Sequence, residues 1–137
     1  MLAIEMLHHV SLPVSDLERA RMFYAEIIGL TELERPPFPF PGAWFQIGDR
    51  QLHLIGGDSK ATFRIDKPVD SHDAHFAIRV RSFKQAVEHL RSLGYAPDAA
   101  DPLHVSRENA AGKAGFPQIF VLDPDRNVVE INAAVSD

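Results

Sequence analysis

The chain repeats itself, and that constrains its fold more than any other feature. His9-Val-Ser-Leu-Pro-Val14 aligns with His75-Phe-Ala-Ile-Arg-Val80 at an offset of 66 residues (75 − 9). A duplicated module must bury its apolar face in the same way twice. Both stretches alternate. Val10, Leu12 and Val14 point to one side and His9, Ser11 and Pro13 to the other; Phe76, Ile78 and Val80 oppose His75, Ala77 and Arg79.

A helix is expected after each stretch. Ser15-Asp-Leu-Glu18 and Ser82-Phe-Lys-Gln85 read as capping boxes with the serine hydroxyl at the N-cap. Leu17, Ala20, Phe23, Tyr24, Ile27 and Ile28 then form an apolar stripe, as do Phe83, Ala86, Val87, Leu90 and Leu93. Both helices stop at a glycine, Gly29 and Gly94. Three strand-like runs follow each helix: Thr31–Glu34, Ala43–Ile47 and Gln51–Ile55, then a weaker Tyr95–Ala99, Gln118–Leu122 and Asn127–Asn132. Gly48-Asp49-Arg50 turns the first hairpin, and Asp123-Pro-Asp-Arg126 the second. Ser106–Gly115 has no period and reads as a loop.

The expected architecture is therefore α+β: two βαβββ modules forming a curved open sheet with helices on the outer face. One domain spans 1–137, with module one at 1–59, a polar linker at 60–73 and module two at 74–137. The length suits one ordinary domain. A net charge of −5, with no local basic run, gives no nucleic-acid footprint. The longest apolar stretches are far short of the roughly 20 residues that span a membrane. The first residues lack the pattern of a secretory signal. With no cysteine, disulfides and thiolate chemistry are excluded, and a cytoplasmic location is expected.

Chemistry then falls to residues on the hollow side of the strands. In the last strand of module two, Val129 and Ile131 face the core while Val128, Glu130 and Asn132 face away; in module one, Leu52 and Leu54 face the core and Gln51, His53 and Ile55 the hollow. Each module thus presents two polar side chains inward, His9 and His53 from the first, His75 and Glu130 from the second. A strand histidine alone is ordinarily a hydrogen-bonded structural residue. Four such positions related by a repeat point instead to a metal. A carboxylate buried mid-strand is costly without a partner, and three imidazoles with one carboxylate suit Zn, Ni, Fe or Mn. His8, His72, His89 and His104 fall outside this pattern. Phe38, Phe40, Trp44 and Phe116 are candidates for an apolar substrate wall or, equally, for closing a sheet edge or a dimer contact; the proline-rich run Pro36–Pro41 between them is stiff. Arg35 is either an anchor for an anionic group or a solvated charge.

At these residues the chain resembles the vicinal oxygen chelate superfamily, which includes glyoxalase I, bleomycin-resistance proteins, fosfomycin-resistance transferases, methylmalonyl-CoA epimerase and extradiol dioxygenases. His9-Val-Ser-Leu-Pro-Val-Ser-Asp-Leu-Glu-Arg-Ala with Phe23-Tyr24 and Gly29-Leu30, and Asp123-Pro-Asp-Arg-Asn-Val-Val-Glu-Ile131, carry the resemblance. Arg35-Pro-Pro-Phe and Pro41-Gly-Ala-Trp44 resemble a glyoxalase-I-like branch. The resemblance implies that His9, His53, His75 and Glu130 are the metal positions, with Glu130 as ligand or general base. It departs at His53, where glyoxalase I enzymes usually carry glutamate or glutamine.

The implied function is a divalent-metal-dependent lyase or isomerase that chelates adjacent oxygens of a small substrate and stabilises an enolate-like intermediate. The alternatives are a fosfomycin-type thiol transferase, an extradiol dioxygenase, or a non-catalytic drug-sequestering protein of the bleomycin-resistance type. A homodimer is the family's default, with the modules pairing either within a chain or across two. Neither nucleic acid nor membrane is an expected partner.

Overall fold

The computed structural model describes residues 1–57, 63–111 and 113–137. The chain divides into two compact units, Met1–Thr62 and Phe63–Asp137. Each holds a four-stranded open sheet.

The first unit runs β1 (His9–Pro13), α1 (Leu17–Met22), β2 (Thr31–Leu33), β3 (Gly42–Ile47) and β4 (Arg50–Ile55). Its sheet order is β1-β4-β3-β2, with β1 parallel to β4 and the remaining pairs antiparallel. The second runs β5 (His75–Val80), α2 (Phe83–Ser92), β6 (Arg107–Asn109), β7 (Gln118–Leu122) and β8 (Val128–Ala133), in the order β5-β8-β7-β6 with the same directions. The α+β duplication is thus present in both elements and pairing.

The helices form where the apolar stripes require them. α1 buries Ala20, then widens at Phe23–Ile27 into a turn in which the Ile28 N–H reaches the Phe23 carbonyl at 2.9 Å. That widened turn carries Phe23 and Tyr24 into the core, where the Tyr24 ring meets Phe45 at 6.2 Å. Val14, Ala43, Phe45, Leu52 and Leu54 are buried with them. α2 buries Phe83 and Leu90, while Leu93, the C-cap residue, lies beyond the helical stripe and is exposed. Gly94 ends α2 at φ +90°, with its N–H bonded to the Arg91 carbonyl and that of Tyr95 to the Leu90 carbonyl, both at 3.0 Å.

Three local expectations are corrected. The N-cap of α1 is Asp16, not Ser15; its carboxylate accepts from the Arg19 N–H at 3.1 Å, and an acidic cap at a positive helix end is favourable. Ser82 does cap α2, accepting from the Gln85 N–H at 3.0 Å. Tyr95–Ala99 is not a strand. It makes a single bridge, Ala96 with Val105, because Pro97 has no N–H to continue a ladder. The fourth strand of this unit is instead Arg107–Asn109, inside the stretch read as a loop; of that stretch, Gly112 lies outside the described residues, as do residues 60–62 of the expected linker. The β7–β8 turn is as expected. Asp123 accepts from the Asp125 and Asn127 N–H groups at 2.9 and 2.8 Å, and its carbonyl from the Arg126 N–H at 2.9 Å.

The second unit also has a small core on the sheet side away from α2. Val69 joins Phe120, Leu122 and Val128, with Leu103 and Val105 packed against them. The segment before β5 therefore covers part of the hollow face. Arg64 fixes that segment by donating to Asp73 and to the carbonyls of Pro68 and Arg126.

Candidate metal and substrate site

The strand registers repeat as closely as the sequence does. His53 on β4 lies opposite Ser11, two residues beyond His9; Glu130 on β8 lies opposite Ala77, two residues beyond His75. Each unit therefore brings one pair of the four expected side chains together. Among the described residues, no group of three or more histidine or acidic side chains is drawn to one point.

In the first unit the pair is a stack. The His53 ring lies 4.1 Å from that of His9 on one side and 4.1 Å from Trp44 on the other, nearly parallel to Trp44 at 6°. His53 Nε2 is 2.8 Å from Gln51 Oε1, and His9 Nδ1 is 2.9 Å from His8 Nδ1. Burial, then the neighbouring charges of His9, His8 and Arg35, holds the His53 imidazole below its ordinary range. Trp44 continues toward Phe38, which stacks on Phe40 at 5.4 Å. The Arg35 guanidinium sits over both rings, 4.8 Å from Phe38 and 4.9 Å from Phe40, and donates to the Phe40 carbonyl. It lies across Gly42, where a Cβ would come within 2.9 Å of it. Arg35 is thus packed among aromatic rings; its buried Nε has no hydrogen-bond partner.

The second unit holds a carboxylate in a saturated setting. Glu130 is only 5% exposed. Its Oε1 accepts from Asn132 Nδ2 at 2.7 Å and Gln118 Nε2 at 3.0 Å, and its Oε2 faces His75 Nε2 at 3.0 Å. Burial alone would raise its pKa, but the donors Asn132, Gln118 and His75 outweigh it and hold the carboxyl below its usual range. His75 is oriented from behind, since its Nδ1 lies 2.7 Å from the Asp73 carbonyl. A carbonyl can only accept, so Nδ1 carries a proton. In the neutral imidazole Nε2 is then a lone pair, and a lone pair facing a carboxylate oxygen at 3.0 Å is favourable only with a proton or a cation between them. Metal-binding histidines are likewise held from behind by an N–H bond to a carbonyl or carboxylate. The residues present therefore fit a divalent ion.

His75 and Glu130 open onto a cleft of about 350 Å³ lined also by Gln118, Phe120, Arg107 and Asn109. Phe116 is outside that lining, under the Arg79 guanidinium at 4.8 Å. Of these residues, Gln118, Asn132, Asp73 and Arg107 were not foreseen as functional. Asn132 was legible as a same-face neighbour of Glu130; Gln118 and Arg107 needed the strand register.

A duplicated βαβββ module with an imidazole–carboxylate pair on its hollow face defines a class, and sequence comparison agrees. The chain belongs to the Glyoxalase/Bleomycin resistance protein/Dioxygenase superfamily, whose profile it matches over residues 6–131. It is similar to the mitochondrial methylmalonyl-CoA epimerase of Mus musculus, 30% identical over 125 residues that cover 87% of this chain and 66% of the epimerase. The chain thus spans just under two thirds of that relative. Among solved structures, a glyoxalase family protein from Bacillus anthracis superposes with a TM-score of 0.73 at 23% identity, covering 97% of this chain and 98% of that one. A variant of the fosfomycin resistance protein FosX from Listeria monocytogenes, in complex with Mn(II) and 1S,2S-dihydroxypropylphosphonic acid, does so at 0.69 and 19%, covering 96% and 94%. These two likenesses show the fold. Among the described residues, no helix is long and apolar enough to cross a membrane.

Proposed function

We propose that the protein is a divalent-metal-dependent lyase or isomerase that moves a proton on the carbon next to a carbonyl of a small oxygenated substrate, with Glu130 as the group that carries the proton. The observation that carries this reading is the His75–Glu130 pair, an imidazole nitrogen and a carboxylate oxygen 3.0 Å apart at the mouth of a cleft. His75 and Glu130 would hold the ion, with His9 and His53 as the further ligands, supplied within one chain or across a homodimer. A bound Zn, Ni, Mn or Fe ion would polarise two adjacent substrate oxygens as a Lewis acid.

The remaining work falls to the protein. Gln118 and Asn132 anchor Oε1, so the carboxylate is held in one orientation with Oε2 turned to His75. Its depressed pKa keeps it ionised at neutral pH, ready to accept a proton at Oε2. Phe120 packs edge-on to His75 at 5.5 Å and lines the same cleft. Phe38, Phe40, Trp44 and Arg35 are proposed as a substrate wall in the first unit, and the isomerase side of the reading is favoured by the similarity to an epimerase. A cytoplasmic location completes the proposal.

The test is exchange of the carbon-bound hydrogen with solvent deuterium, in 2-oxoaldehyde–thiol adducts and in 2-substituted acyl thioesters, with Ni, Mn or Zn added and removed. Metal-dependent exchange that Glu130→Gln abolishes is expected. Exchange unaffected by chelation, or by that substitution, would overturn the reading. Elemental analysis of protein purified without added metal identifies the ion.

A further inference from the structure

The hollow faces of the two units can be compared position by position, because their registers coincide. The row through His53 runs Leu33, Trp44, His53, Ser11; the row through Glu130 runs Arg107, Phe120, Glu130, Ala77. Arg107 thus stands where the duplicate has Leu33. One step along, Gln118, Asn132 and Arg79 occupy the places of Gly42, Ile55 and Pro13. The second unit has cations and amides where the same scaffold elsewhere carries apolar side chains, so the fold does not require them.

Arg107 is also held, not merely solvated. Its Nε donates to the carbonyl of Val69 at 2.8 Å, and Val69 belongs to the small buried core beneath. That bond uses the Nε–H alone, and Arg107 lines the cleft. Among the described residues, neither carboxylate nearby pairs with it. Glu108 is taken by Arg91, with both oxygens at 2.9 Å, and Glu130 by Asn132, Gln118 and His75. A guanidinium fixed through Nε, with its Nη groups bonded to no described residue, matches a planar or tetrahedral oxyanion. Ser71, Asn109 and the Arg91-paired Glu108 line the same cleft.

We propose that Arg107 anchors an anionic oxyacid group, carboxylate or phosphoryl, of the substrate that enters the His75–Glu130 cleft, which makes that substrate an acid and Arg107 a determinant of specificity. The inference rests on the reading of that cleft as the substrate site. Arg107 and Glu130 lie two strands apart in one row, a backbone separation of about 10 Å. The anionic group is therefore bound clear of Glu130, with the reacting carbon between them.

The test uses the full chain freed of metal by chelation, so that it does not depend on turnover. Malonate, methylphosphonate and neutral dimethyl malonate are titrated while amide shifts in the cleft are followed by NMR. Either anion is expected to bind saturably and the diester not to bind; the tighter of the two anions identifies carboxylate or phosphoryl recognition. Arg107→Met, which keeps the stem and removes the charge, is expected to weaken binding about tenfold or more, and Arg107→Lys, which keeps charge but not the fork, by several-fold. Equal affinity in Arg107→Met, equal binding of the diester, or no binding of either anion by the natural chain would overturn the proposal. Should Arg107→Met not fold, Arg107→Lys decides, and unchanged affinity there would overturn it. Arg107-dependent anion binding without proton exchange removes only the proposed reaction. Exchange with Arg107-independent binding removes only this inference.

Discussion

The two units have one scaffold and two chemistries. In the first, the strand pair carries imidazole stacked on imidazole, with Trp44 stacked on His53, His8 edge-on to His9, and Gly42 and Ile55 on the flank. In the second, the same register sets imidazole against carboxylate, and Gln118 and Asn132 replace the flank. The difference teaches that position in a sheet is inherited by duplication, whereas the charge state at that position is set by the neighbours. His53 has one side-chain amide beside it, Gln51, where Glu130 has two amides and an imidazole. The second unit is therefore the one equipped to hold negative charge, and the first to resist positive charge.

The largest effect expected from breaking this contrast is at Glu130. Glu130→Gln keeps the shape and removes the charge, and should lower proton exchange by about 10²- to 10⁴-fold, as measured by deuterium incorporation. Its positional counterpart His53→Gln should cost far less; equal losses would show that the units share the work. Next are the flanks. Gln118→Ala or Asn132→Ala should weaken divalent-metal affinity by about 10- to 100-fold in a calorimetric titration with little change in melting temperature. At the position matching Gln118, Gly42→Ala should do the reverse. Its Cβ would meet the Leu54 carbonyl oxygen at 2.6 Å, so a loss of about 1–3 kcal/mol in stability is expected from denaturant unfolding.

The pH dependence of the metal-free protein separates the pairs further. Both His53 and Glu130 are depressed on folding, so each contributes stability that is present above its unfolded pKa and lost as pH falls through its folded value. For His53 the loss begins at about pH 6.5, and for Glu130 only at about pH 4.3. Denaturation midpoints should thus decline in two steps on acidification, and His53→Gln should remove the first alone. A midpoint that rises as pH falls through neutrality would contradict the burial ascribed to His53. The smallest effect belongs to the stack itself. Trp44→Leu should cost about 0.5–1.5 kcal/mol beyond the area it uncovers, read from a double-mutant cycle with His53. No coupling would mean that the near-parallel rings contribute only buried surface.

The fold was legible because periodicity and capping act over a few residues. Alternation in His9–Val14 and His75–Val80 placed the core face, and Ser82 and Gly94 bounded the second helix where expected. The misreadings were local ties decided by packing. Asp16 displaced its neighbour Ser15 as cap, and Pro97 denied Tyr95–Ala99 a ladder that Arg107–Asn109 then supplied to β7. For the candidate site, the alternation of Val129, Glu130 and Ile131 put a carboxylate on the polar side of a strand, but no sequence distance relates Gln118 to Glu130.

The amino-acid order alone determined that the chain is a duplicated α+β scaffold and that His9, His53, His75 and Glu130 share the side of their strands opposite the helices, because side-chain direction in a strand follows a period of two. Only the tertiary structure decided that one pair is a stack and the other a proton- or cation-demanding contact, and that Arg107 is tied to the Val69 carbonyl beside the cleft. Those outcomes depend on register across strands far apart in sequence, and register is set by packing of the whole unit.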